Sequence, residues 1–181
     1  MANISASMVK ELRERTGLGM MDCKRALQES NGDIEEAITN LRKSSALKAE
    51  KKASRTAVEG VILIDLDKSE NNALMIEVNC ETDFVAKDEN FISFCNSVLS
   101  YSKELVEEEN SLENLQSQME ESRQALIQKI GENIKIRKLE KLKGETVEIY
   151  LHSNKKIGVS ISVEGEDREL AKDLAMHIAA S

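Results

Sequence analysis

The chain has 181 residues, 40% of them hydrophobic, 32% charged and 3% aromatic, with no Trp, no Pro and a formal net charge of −8. That length suits one or two domains with a modest core of Leu, Ile, Val, Ala and Met, and the acidity argues against non-specific nucleic-acid binding. No run approaches the ~18 apolar residues of a membrane span, Met1 to Ser5 lacks a signal-peptide pattern, and Cys23, Cys80 and Cys95 are an odd set without CxxC, so a soluble protein of a reducing compartment, the cytoplasm, is expected.

Charge is unevenly placed: residues 1–56 carry 11 Lys/Arg against 8 Asp/Glu, a net of +3, and the remainder 14 against 25, a net of −11. The basic part reads as three short helices over 1–52. Ile4, Met8, Val9 and Leu12 recur at helical spacing, with Ser5 or Ser7 as cap and Gly17 and Gly19 as stop. A second helix runs from about Met20 to Glu29 and breaks at Asn31-Gly32. Asp33 to Glu36 then offers a capping box, followed by the stripe Ile34, Ala37, Ile38 and Leu41. Lys48 to Arg55 is cationic without an apolar stripe and reads as a linker or frayed helix end, so the second domain is expected over 53–181.

The period then changes. Val58–Leu66 and Ala73–Val78 are rich in Val, Ile and Leu and are bridged by six polar residues, the pattern of a hairpin. Two helices follow, Asn90–Leu105 and about Leu112–Ile130, the latter with Ser111 as cap. Strands are expected at Ile134–Leu142, Thr146–His152 and Ile157–Val163. An amphipathic helix closes the chain through Leu170, Leu174, Met176 and Ile178. Hairpins with helices between them give an α+β domain on a mostly antiparallel sheet.

Motifs of self-contained chemistry are missing. There is no P-loop, Gly17-x-Gly19 is not a dinucleotide fingerprint, and His152 and His177 sit in no metal-ligand spacing. Nothing local supports a Cys80/His152 nucleophile pair, and the three cysteines read as small hydrophobes. His177, on an Ala-rich helix, reads as structural. The expectation is a binding protein that is no enzyme and carries no metal or cofactor. The segment that stands out is Glu77 to Phe91, which joins a strand to a helix. Thr82 or Asp83 can cap a short turn there, and Phe84 is one of only three Phe in the chain. Either Phe84 packs under its own loop, or it anchors a partner, a role that favours rigid aromatics.

Four stretches resemble bacterial elongation factor Ts in collinear order: Val9 to Lys24, Thr82-Asp83-Phe84-Val85-Ala86-Lys87, Ile130-Gly131-Glu132-Asn133-Ile134, and Ala175 to Ser181. The resemblance spans essentially the whole chain. It implies a ubiquitin-associated-like three-helix module over 1–52, then the first part of the family's α+β core over 53–181. It also implies guanine nucleotide exchange on elongation factor Tu, in its GDP-bound and nucleotide-free forms, with no direct nucleic-acid or membrane partner. Carried over by motif, Thr82, Asp83, Phe84 and Val85 contact the GTPase domain near its nucleotide site, with Phe84 wedged between helices. Ile130, Gly131 and His152 match further contact positions, and Arg13, Met20 and Met21 match the surface of the N-terminal module. Plainer roles stand beside these: Met20 and Met21 as bundle core with one of the two exposed, Ile130 as a last core turn, His152 as a solvated strand end. Family members continue beyond the position matching Ser181, so a fragment is expected. The alternative function is an adaptor that recruits partners through its three-helix module and leaves Phe84 buried.

Overall fold

Hydrogen-bonded caps set the limits of the first helices. In the computed structural model, which describes residues 4–105 and 111–181, α1 spans Ala6–Thr16, α2 Met20–Glu29 and α3 Ile34–Lys52. Ser5 Oγ accepts from Met8 N at 3.3 Å, and the Gly17 N–H returns to Arg13 O at 2.8 Å. Asp33 Oδ1 accepts from Glu36 N at 2.9 Å; the Asp33 N–H that a capping box would give to Glu36 goes instead to Ser30 O at 3.0 Å. Leu12, Cys23, Leu27 and Ala37 are fully buried, with Val9, Leu18, Ala26 and Leu41 around them. The small Ala26 and Ala37 permit close helix crossings.

The described residues form two units, one of residues up to 56 together with 120–133, the other of 57–119 together with 134–181. The first therefore includes the C-terminal half of α5 (Ser111–Ile130), which the boundary at 52/53 assigns to the second domain. The cap position at 110 lies outside the described residues, and Ser111 is the first helical residue. The expected linker at Lys48 is the last turns of α3. Leu41, Ser45 and Ala49 succeed each other at four-residue spacing and are buried, a stripe built of residues too small to register as apolar. Arg42 Nε pairs with Glu121 Oε1 at 2.8 Å, the Ser45 hydroxyl meets the Gln128 side-chain amide, and Asn133 Nδ2 donates to Arg55 O at 2.8 Å.

In the second unit β1 (Glu59–Asp67) and β2 (Asn72–Cys80) form the expected hairpin, Glu59 facing Cys80 and Asp67 facing Asn72. Asp67 Oδ1 accepts from Ser69 Oγ at 2.6 Å and from the Ser69 and Glu70 amides; the hydroxyl bond first, then the amides, hold its carboxyl below the usual range. β3 (Lys135–Lys143) pairs antiparallel with the other side of β2, with a bulge at Glu77/Val78. β4 (Thr146–Leu151) and β5 (Gly158–Val163) pair antiparallel only with each other, so the α+β expectation holds with two sheets rather than one. Gly144 N–H still bonds Asn71 O at 3.2 Å, one step beyond the Asn72–Lys143 pair, and the two-stranded sheet begins two residues later at Thr146.

Helix α4 (Glu89–Glu104) buries Phe91, Phe94, Cys95 and Val98 over β1 and β2. Helix α6 (Arg168–Ala180) packs on β4 and β5, but through Ala171 and Ala175. The expected stripe of Leu170, Leu174, Met176 and Ile178 is exposed, because the two alanines bring the helix backbone close to the sheet and turn the longer side chains outward. Arg168 ties the ends of this layer: it donates to Val147 O and Glu148 Oε1 through Nη1, and to Asn71 Oδ1 and Lys68 O through Nη2. All three cysteines, Cys23 in the first unit and Cys80 and Cys95 in the second, are buried and reduced.

Two substitutions test this packing. Gly60 has φ +140°, and a Cβ on it would lie 2.1 Å from Val78 O, so Gly60→Ala must part β1 from β2. It is expected to cost more than about 2 kcal/mol, read as a shift in the urea midpoint. Arg168→Ala leaves the buried Glu148 carboxylate with only Lys68, at 3.7 Å. A loss of about 3 kcal/mol is expected by the same measurement, and a neutral result would mean that Glu148 is not held by this pair.

Candidate partner-binding surface

The strand-to-helix connection after β2 is held from beneath. The Cys80 thiol donates to Thr82 O at 3.2 Å, and Thr82 Oγ1 accepts from Val85 N at 3.4 Å. Ala86 N returns to Thr82 O, Lys87 N to Phe84 O and Asp88 N to Val85 O, closing a 3₁₀ turn over Val85–Lys87. Asp88 then caps α4 through bonds from Asn90 N and Phe91 N. Ala86 is buried beneath the turn, while Thr82, Asp83 and Val85 are half-buried.

Phe84 does not pack under its own loop. Its side chain is 81% exposed, whereas Phe91 is fully buried and Phe94 nearly so. The cap of the turn is Thr82. Asp83 instead pairs with Lys87, Oδ2 to Nζ at 3.1 Å; that hydrogen bond and charge, with Lys156 adding to them, hold the Asp83 carboxyl below its usual range.

The hairpin turn between β4 and β5 reaches the same place. His152 N–H donates to Ile157 O at 2.9 Å, Lys155 N–H to His152 O at 2.8 Å, and Ile62 N–H of β1 to Lys155 O at 2.7 Å. The His152 ring is half-exposed and sits edge-on to Tyr150, with centroids 6.4 Å apart. Residues 153–156 of this turn, with Asp83, Ala86, Lys87, Gly60, Val61 and Ile92, line an open cleft of about 530 Å³. The second unit thus brings Asp83 together with the turn that follows His152. Lys156 pairs with Glu59, which raises its pKa, with the Asp83 charge adding to the effect.

The remaining residues singled out from the sequence lie in the first unit. Arg13 is exposed on α1, and Met20 and Met21 are 60% and 74% exposed at the start of α2, so both methionines face solvent rather than one. Ile130 ends α5 half-buried, and Gly131, at φ +91°, donates to Ile127 O and accepts from Lys52 Nζ. Lys155 and Lys156 are residues that the sequence does not single out: two lysines in a hairpin turn show there only as polarity, because the register that seats the turn on β1 is tertiary.

Burial first, and then the neighbouring Cys80 thiol, push the Cys95 thiol up to about 12, with the Lys155 charge acting in the opposite direction. Among the described residues no three His, Cys, Asp or Glu side chains gather as metal ligands, and no helix is long and apolar enough to cross a membrane.

The family model for elongation factor TS matches residues 81–181. Elongation factor Ts of Hahella chejuensis is 53% identical over 182 residues, covering 99% of this chain and 63% of that protein. Those of Marinobacter nauticus and Serratia proteamaculans are 52% and 54% identical, covering 99% and 100% of this chain. The chain spans about 62–63% of the length of these relatives. Matched by the family model over more than half its residues and by these relatives over nearly all of them, it belongs to the elongation factor Ts family.

Proposed function

We propose that this chain promotes GDP release from elongation factor Tu during translation elongation in the cytoplasm, by inserting the Asp83–Phe84 turn beside the nucleotide and Mg²⁺ site of that GTPase. The observation that carries the reading is the 81% exposure of Phe84 on a turn closed by bonds from the Val85, Ala86, Lys87 and Asp88 amides. Thr82 and Val85 frame the ring, and Ile130, Gly131 and His152 serve as further contacts. Arg13, Met20 and Met21 give residues 1–52 a separate docking surface. The adaptor alternative would leave Phe84 packed under its loop, and the solvated ring favours exchange.

The mechanism needs no reactive group. GTPases hold the β-phosphate through P-loop amides and Mg²⁺. A rigid side chain wedged beside that loop weakens these contacts only if the chain binds the nucleotide-free state more tightly. By reciprocity, bound GDP weakens the chain's grip by the same factor. Release is accelerated without choice of the nucleotide that rebinds, which the GTP/GDP ratio sets.

Release of a fluorescent GDP from elongation factor Tu tests this directly, and no acceleration at micromolar chain would overturn it. Phe84→Ala should change stability by less than about 1 kcal/mol, because the ring is solvated. It should slow GDP release about tenfold or more, as expected for an aromatic anchor. A large fall in melting temperature, with exchange retained per folded molecule, would refute the wedge. Met20→Ala/Met21→Ala should likewise leave the melting temperature within a few degrees and weaken binding about tenfold, measured by calorimetry against nucleotide-free elongation factor Tu.

A further inference from the structure

The cleft beside Phe84 carries a cation with no assigned use. Of its lining residues, Lys87, Lys155 and Lys156 are positive and Asp83 is negative. Lys87 is paired with Asp83 and Lys156 with Glu59. Lys155 forms no ion pair among the described residues, and it lines the cleft together with Ile92 of α4. Its backbone is fixed in the left-handed region at φ +56° by the bonds from Lys155 N to His152 O and from Ile62 N to Lys155 O. Val61, Ala86 and Ile92 supply the apolar part of the lining.

A lone charge in a cleft with low-dielectric walls focuses the field, and a fixed backbone lowers the ordering cost of using it. The chain as a whole has a net charge of −8 and would repel an acidic surface, so a positive cleft next to the exposed ring selects the orientation of approach. We infer that Lys155 is a docking residue for a carboxylate side chain of the GTPase, seated in this cleft as Phe84 inserts next to it. This rests on the exchange reading above and adds a specific electrostatic contact to it.

The test uses the whole chain with elongation factor Tu loaded with fluorescent GDP. Lys155→Asn and Lys155→Asp remove or reverse the charge with residues that accept the left-handed backbone, and Lys155→Arg keeps it. At low salt, Lys155→Asn should slow association about fivefold and Lys155→Asp by more than about tenfold, while Lys155→Arg stays within about twofold of the parent. The loss should shrink as salt rises from about 50 to 300 mM, with melting temperatures unchanged. Lys172→Asp, the same charge reversal on α6 outside the cleft, should have less effect than Lys155→Asp. If the parent neither binds nor accelerates release, the exchange reading fails and the inference falls with it. If the parent is active and the Asn and Asp variants match it in rate and salt dependence, or if Lys172→Asp loses as much as Lys155→Asp, the inference alone is overturned.

Discussion

A solvated phenylalanine is under constant pressure to collapse onto its own chain, and the second unit is organised to prevent it. Burial of the ring would be worth about 1.5–3 kcal/mol, so the turn must be stiff enough that no cheap rearrangement reaches a covered state. The hydrogen bonds from Cys80, Val85, Ala86, Lys87 and Asp88 close that turn on itself. Ala86 fills the space beneath it. β2, with a partner on each side, supplies the fixed end from which the turn springs, and Asp88 hands it on to α4 without slack.

That arrangement places the two hairpins in one framework. The β1–β2 hairpin carries the Thr82–Lys87 turn at its far end, and the β4–β5 turn is seated on β1 by a single backbone bond to Ile62. A mixed site results, an aromatic ring beside a partly apolar cleft rimmed with lysines, on a chain that is acidic overall. Shape and local charge are thereby supplied by different strands of one small unit, so that each can vary without disturbing the other's pairing.

Much of this was legible in the residues. Runs rich in Val, Ile and Leu around a polar bridge pointed to the β1–β2 hairpin, and Asp33, with Ser5 or Ser7, to the third and first helix starts. What escaped the sequence escaped it through residue size. Ser45 and Ala49 continue the buried face of α3 without looking apolar, and Ala171 and Ala175 rather than the neighbouring leucines carry α6 onto its sheet. A large apolar side chain records hydrophobicity but not direction, whereas a small one is often where two backbones meet. The site divides in the same way. Asp83 and Phe84 announced themselves by an odd juxtaposition of polar turn and aromatic ring, while Lys155 became notable only when the fold set it in a cleft. The separation of β4 and β5 into a sheet of their own was equally invisible, because antiparallel strands look alike whichever neighbour they choose.

The burial of all three thiols has a consequence for watching this molecule move. A thiol reagent reaches a covered cysteine only when its surroundings open, so the labelling rate in fast-closing conditions measures the free energy of that opening. Cys23 sits in the core of the first unit, while in the second Cys80 bonds the turn that carries Phe84 and Cys95 is buried on α4. The chain is thus furnished with separate internal gauges for its two units: Cys23 reads how readily the helical core opens, and Cys80 and Cys95 read how readily the core beneath β2 and α4 does.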